Sequence, residues 1–135
     1  MNDKCHKRTA IIGAGMAGLL AAINLKKAKR EFMVFEKADS LGGTWRDNRY
    51  PGLTCDVPAH AYTYSFAPYA EWNAYHATGP EIKRYFEKVA GDYGITPFIH
   101  FNTDLKSGKG IYTLMILNIY TFHFNSTNKI YHRKI

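Results

Sequence analysis

The chain has 135 residues, enough for one domain of modest size, and its 46% hydrophobic and 15% aromatic content can fill a core. Its net charge of +7 hints at nucleic acid, but the first 104 residues hold thirteen basic against all eleven acidic residues, and the remaining excess follows Asp104. That places the charge in a tail rather than on a binding face, which argues against a nucleic-acid function. Cys5 and Cys55 are the two cysteines. Without paired spacing they argue against a disulfide framework or a metal site and for a reducing, cytoplasmic setting.

Residues 1–8 form a polar arm with no apolar signal segment. Thr9 to Ile12 is a short, mostly apolar run, as expected of a buried parallel strand. Gly13-Ala14-Gly15-Met16-Ala17-Gly18 then gives G-x-G-x-x-G. In this pattern the first glycine permits a sharp turn and the second lets backbone approach a pyrophosphate. The third lets the following helix pack closely on the strand, and that helix aims its free N–H groups at the phosphates. A helix is predicted from Met16 to about residue 28, with Leu19, Leu20, Ile23 and Ala28 on or near its apolar face and a basic last turn.

A second strand, Phe32 to Phe35, leads into Glu36, about 20 residues past the glycine turn, where a ribose-binding acid belongs. A carboxylate there accepts bonds from ribose hydroxyls and disfavours a 2′-phosphate, which points to FAD or NAD and away from NADP at this first site. The loop 37–47 brings Gly42 and Gly43 beside Trp45, which reads on composition as a core aromatic. Residues 46–77 show no periodicity but are rich in Tyr, Pro and Gly, and read as a loop folded over a ligand.

Order returns at Thr78-Gly79-Pro80-Glu81, a capping box. Ile82, Tyr85, Phe86, Val89, Ala90 and Tyr93 recur at helical spacing over 79–92, and Gly94 ends the run. Phe98 to Phe101 is the third predicted strand. The whole is an α/β, Rossmann-like parallel sheet with flanking helices over residues 9–105, incomplete as a domain. Residues 106–135 read as a divergent tail. Its Ile, Asn, Tyr, Lys and Phe content suits A/T-rich codons and translated non-coding sequence. The alternative is a hairpin of Tyr112 to Leu117 against Tyr120 to Phe124, turning at Asn118-Ile119. Its apolar run is too short to span a bilayer.

From Thr9 to Leu105 the chain resembles the N-terminal FAD-binding region of class B flavoprotein monooxygenases, above all the Baeyer–Villiger branch with its fungal secondary-metabolism members. The likeness rests on several motifs in order: Gly13 to Gly18, Glu36-Lys37, Gly42-Gly43-Thr44-Trp45, Asn48-Arg49-Tyr50-Pro51-Gly52, Cys55-Asp56, Tyr62-Thr63-Tyr64-Ser65-Phe66, Glu71-Trp72 and Gly79-Pro80-Glu81-Ile82.

The resemblance implies that Gly13, Ala14, Gly15, Met16, Ala17 and Gly18 hold the FAD pyrophosphate, and that Glu36, with Lys37 beside it, binds the adenosine ribose. Gly43, Thr44 and Trp45 would line the flavin and ribityl region. Asp56 would stand near the flavin and the incoming nicotinamide as the catalytic candidate, with Thr54 and Cys55 adjoining. Tyr62 would contact the flavin side, and Leu105, ending the third strand, would touch adenine through its backbone.

Such enzymes use FAD, NADPH and O2 to convert a ketone to an ester or lactone. The family pattern continues after Leu105 with a β-meander, a returning strand and an NADPH domain with its own glycine turn. None of these is legible in 106–135, so the isolated chain is expected to be inactive. The other readings are a non-catalytic flavin-binding module and an NAD-dependent dehydrogenase fragment.

Overall fold

A computed structural model of the chain describes residues 9–112, 118–126 and 129–134. The arm 1–8 lies outside the described residues. Three parallel strands, β1 (Thr9–Ile12), β2 (Phe32–Phe35) and β3 (Ile99–His100), form one sheet in the order β1-β2-β3. Thr9 faces Phe32, and Val34 faces Ile99. The third strand is shorter than predicted because Thr96–Phe98 winds as a 3-10 turn before it.

Helix α1 (Met16–Lys27) and helix α3 (Gly79–Asp92) carry the core between them, and α2 (Thr44–Asp47) is a single turn. From α1 come Leu19, Ala22 and Ile23; from α3 come Ile82, Tyr85, Phe86, Val89 and Ala90; β2 adds Val34. These apolar side chains drive the assembly by leaving water together. Leu20 and Ala28, expected on the buried face of α1, are exposed. Only Leu19, Ala22 and Ile23 of that helix are buried, a narrower stripe than the sequence suggested.

The segment 46–77 is irregular, as its lack of periodicity predicts, and it sends Cys55, Ala59, Tyr64 and Ala77 into the core while most of its other residues stay at the surface. Its Tyr64 ring stacks on Phe66 at 5.1 Å and lies 5.9 Å from Phe86, while Trp72 lies 5.7 Å from Tyr85. Tyr85 Oη accepts the Tyr64 N–H at 2.8 Å and donates to the Ala67 carbonyl at 2.8 Å. Tyr64 Oη donates to the carbonyl of Met16, which ties this segment to the start of α1. Irregular backbone is held here by aromatic packing and side-chain bonds in place of periodicity.

The antiparallel strands β4 (Thr103–Tyr112), β5 (Asn118–Ser126) and β6 (Lys129–Lys134) form a second sheet, in that order. This corrects the expectation that no meander follows Leu105. Strand β4 runs through the expected boundary at 105/106, marked only by a register shift between Leu105 and Ser107. The β-branched and aromatic residues of this stretch, free of proline, suit a pleated strand. Asn118 and Ile119, expected at a turn, instead pair with Tyr112 and Ile111. Residues 113–117, most of the first strand of that hairpin, lie outside the described residues. Among the described residues no helix is long and apolar enough to cross a membrane.

At the start of α3, Glu81 Oε2 accepts the Thr78 N–H at 3.0 Å and its hydroxyl at 2.8 Å, while Oε1 accepts both Asn73 donors. The Thr78 amide, the Thr78 hydroxyl and Asn73 together outweigh burial and hold the Glu81 carboxyl down to about 2. A carboxyl depressed on folding contributes stability that is full above its usual value near 4.5 and is lost as pH falls toward 2. Urea titrations from pH 6 to 2.5 should therefore show a steeper acid loss for the parent than for Glu81→Gln. Thr78→Ala should cost about 1 kcal/mol at neutral pH.

Candidate functional site

Strand β1 ends in the turn the glycines require. Gly13 has φ +93°, a conformation that suits glycine, and its N–H donates to the Phe35 carbonyl at 2.7 Å. A Cβ on Gly18 would fall onto the carbonyl of Gly13, so this third glycine is required by packing alone. Gly15 is different. Its φ of −83° is ordinary, and a Cβ there would meet only the Gly43 backbone, at 3.6 Å. Neither strain nor close packing demands a glycine at 15, and its absent side chain leaves open space beside the Gly43 backbone. Gly15 also caps α1 with no side-chain bond, and the first turn carries no acid, which leaves its positive end open to an anion.

A second loop closes on the first. The Gly42 N–H donates to the Ala14 carbonyl at 3.0 Å. Gly43, at φ +53°, lies so close that a Cβ on it would sit 3.2 Å from Gly15 Cα. Beside them Glu36 is 4% exposed. Its Oε2 accepts the Ala14 N–H at 2.7 Å, and its Oε1 accepts the Ala38 N–H at 3.0 Å and Arg46 Nη1 at 2.9 Å. Burial pushes the Glu36 carboxyl up, but these three hydrogen bonds and the Arg46 charge outweigh it and hold the group below the usual range. The Glu36 backbone is fixed as well, by His100 on one side and Thr103 on the other, each at 2.9 Å.

A cavity of about 280 Å3 opens here, and among its walls are Gly13, Gly15, Glu36, Lys37, Gly43 and Leu105. Six residues expected at a ligand site thus converge. Leu105 arrives by a different route than expected: it lies within β4, opposite Phe124, and does not end the third parallel strand. Ala14 is buried behind the turn, while Met16 and Ala17 are exposed at the start of α1.

A second cavity, of about 630 Å3, lies between α2 and α3, where Trp45, Arg49, Tyr50, Thr54, Thr78 and Lys83 are among the lining residues. Arg46 lines both. Trp45 packs against the core, and its Nε1–H donates to Tyr62 Oη at 3.0 Å. Thr44 and Asp56 are exposed. Cys55 is buried, with its Sγ 4.0 Å from Asp56 Oδ1. Cys55, Asp56 and Tyr62 line neither cavity. Sequence reasoning missed Arg46 and Asp104. A basic residue ten positions beyond the acid was the available signal for Arg46.

Residues 11–78, about half of the chain, match the family described as NAD(P)-binding Rossmann-like domain, and the chain belongs to that family. Within it, the relatives are flavin monooxygenases. A Baeyer–Villiger monooxygenase of Streptomyces coelicolor is 46% identical over 102 residues, which are 75% of this chain and 20% of that protein. The FAD-binding monooxygenase stcW of Emericella nidulans is 42% identical over 100 residues, 73% of this chain and 17% of that one. A solved structure of oxidized steroid monooxygenase bound to NADP superposes with a TM-score of 0.80 at 31% identity, covering 95% of this chain and 24% of the other. The structural likeness thus extends beyond the sequence likeness. The chain spans about a fifth of the length of the curated relatives it matches.

The contrast between two glycines is testable in the free protein. Gly18→Ala should lose about 1–3 kcal/mol, because the new methyl group must displace backbone. Gly15→Ala should stay within about 1 kcal/mol of the parent. Chemical denaturation of both variants measures the difference.

Proposed function

We propose that the 280 Å3 cavity takes the ADP half of FAD, and that the chain is the FAD-binding portion of an NADPH-dependent monooxygenase that converts a ketone to an ester or lactone with O2. The observation that carries this is the unfilled space over Gly15, next to an ionised Glu36. A pyrophosphate fits the first, and a ribose with free hydroxyls fits the second. The relatives' printed names support flavin and the oxygenation class.

In this reading Gly13, Ala14, Gly15, Met16, Ala17 and Gly18 cradle the pyrophosphate. Glu36 and Lys37 hold the ribose, and the Leu105 backbone meets adenine. Gly43, Thr44 and Trp45 border the flavin, and Tyr62 supports it through Trp45. Asp56 is the catalytic candidate, exposed where a nicotinamide would arrive, with Thr54 and the buried Cys55 setting its loop. The flavin supplies the redox and oxygen chemistry, and the protein binds, orients and shields it. The cysteine pattern suits a cytoplasmic protein.

Fluorescence titration with FAD tests the site. Glu36→Ala should weaken binding by about 1.5–3 kcal/mol, roughly 10- to 150-fold, by removing charge-assisted hydrogen bonds. Gly15→Val should abolish binding, because its side chain would fill the pyrophosphate space. Parental affinity in both variants would overturn the assignment.

These 135 residues hold one G-x-G-x-x-G, and the relatives are about four times as long. Holding a nicotinamide against a flavin is worth roughly 7–11 kcal/mol in a two-reactant step. The chain with FAD should therefore oxidise NADPH no faster than free FAD does, as followed by absorbance. Enzymatic turnover would show that these residues suffice.

A further inference from the structure

Arg46 is 4% exposed and held on two sides. Its Nη1 donates to Glu36 Oε1 and to the Ser40 carbonyl, while Asp47 Oδ1 takes Nε and Nη2, each at 2.8 Å. An ionised carboxylate has about four acceptor positions, two on each oxygen. On Glu36, Oε1 is filled by Ala38 N–H and Arg46, whereas Oε2 accepts only the Ala14 N–H among the described residues. One position therefore remains on Oε2, and Glu36 is among the residues that line the cavity.

We propose that Arg46, braced by Asp47, is the positioning residue of this site: it keeps the Glu36 carboxylate ionised and in one orientation, with the free position of Oε2 presented to a ribose hydroxyl. The ribose part of this rests on the reading of the cavity given above. A buried carboxylate tends to take up a proton, and two backbone amides alone compensate its charge incompletely. Arg46 supplies the full positive charge in contact with it. The other charged or titratable groups around Glu36 are Lys37 beside it, Asp47 behind Arg46, Asp104 with Lys106 on β4, and His100 on β3, whose ring stacks on Phe35 at 5.4 Å. None of them is hydrogen-bonded to the Glu36 carboxylate among the contacts of the described residues. A protonated Glu36 would spend the free position of Oε2 on its own hydrogen and present a donor where the ionised group presents an acceptor.

The test uses the full chain with Arg46→Met, Arg46→Gln and Arg46→Lys. Carboxyl carbon-13 NMR without cofactor reads Glu36 directly. Its titration should move upward in Arg46→Met and return toward the parent in Arg46→Lys. FAD affinity between pH 8 and 5.5 is the second readout. The variant-to-parent ratio of dissociation constants for Arg46→Met should grow roughly tenfold on the acid side, where the variant's Glu36 takes up a proton and the parent's stays ionised. His100 is present in both proteins and cancels from that ratio.

Should Arg46→Met fail to fold, judged by circular dichroism, Arg46→Gln decides, because it keeps hydrogen-bond donors near Glu36 while removing the charge; it should move the Glu36 titration upward as well. A Glu36 that titrates alike in parent and folded variants overturns the proposal, as does a pH-independent ratio. An upward move of the Glu36 titration in a chain whose parent takes up no FAD supports the role of Arg46 and counts against the flavin reading alone.

Discussion

A carboxylate taken out of water must be compensated where it stands, and Glu36 is compensated by three segments at once. Ala14 reaches it from the glycine turn, Ala38 from the loop after β2, and Arg46 from α2. Moving any one of them would leave a buried charge short of a partner, which is costly. The interaction therefore does more than tune an acid. It fixes the glycine turn, the strand end and the Gly42-Gly43 loop against one another, and the cavity is the space left where they meet.

The same logic operates at the other end of the site. Helix α3 offers an apolar face, and the irregular chain between α2 and α3 lays Tyr64, Phe66, Tyr69 and Trp72 against it. Tyr85 stands at the centre of this cluster, accepting from Tyr64 and donating to Ala67. Because Tyr64 also bonds to Met16, the first residue of α1, the helix end that faces the cavity is braced from behind by aromatic packing. Rigid support of this kind suits a site that works by presenting backbone N–H groups.

The parallel sheet and both long helices were legible because local pattern and tertiary need coincide there. The capping box at Thr78 and the spacing from Ile82 to Ala90 place α3 at Gly79–Asp92, the predicted span. The glycine turn and Glu36 were legible for the same reason: each demands a residue type at a fixed offset. Arg46 was hidden because its burial depends on Glu36, which follows β2 ten residues earlier, and an arginine in a turn-rich loop ordinarily faces water. The packing of the aromatic segment was hidden as well, because aperiodic Tyr and Phe do not reveal from sequence that α3 is their partner. Leu20 misled in the opposite direction, since an apolar residue at helical spacing is not obliged to be inside.

The register of the first sheet bears on the order in which the molecule assembles. Thr9 pairs with Phe32, so joining β1 to β2 closes a span of 23 residues, whereas Val34 meets Ile99 across 65. Loop-closure entropy makes the longer span costlier by only about 0.9 kcal/mol, but β3 also needs α3 in place before it has a surface to settle on. Pulsed hydrogen exchange should accordingly protect β1–β2 amides ahead of those bonding to β3. Ala14 and Glu36 both belong to the early unit, 22 residues apart. The contact between the glycine turn and the acid thus lies within the shorter closure, while the aromatic wall that steadies the turn comes from chain further on.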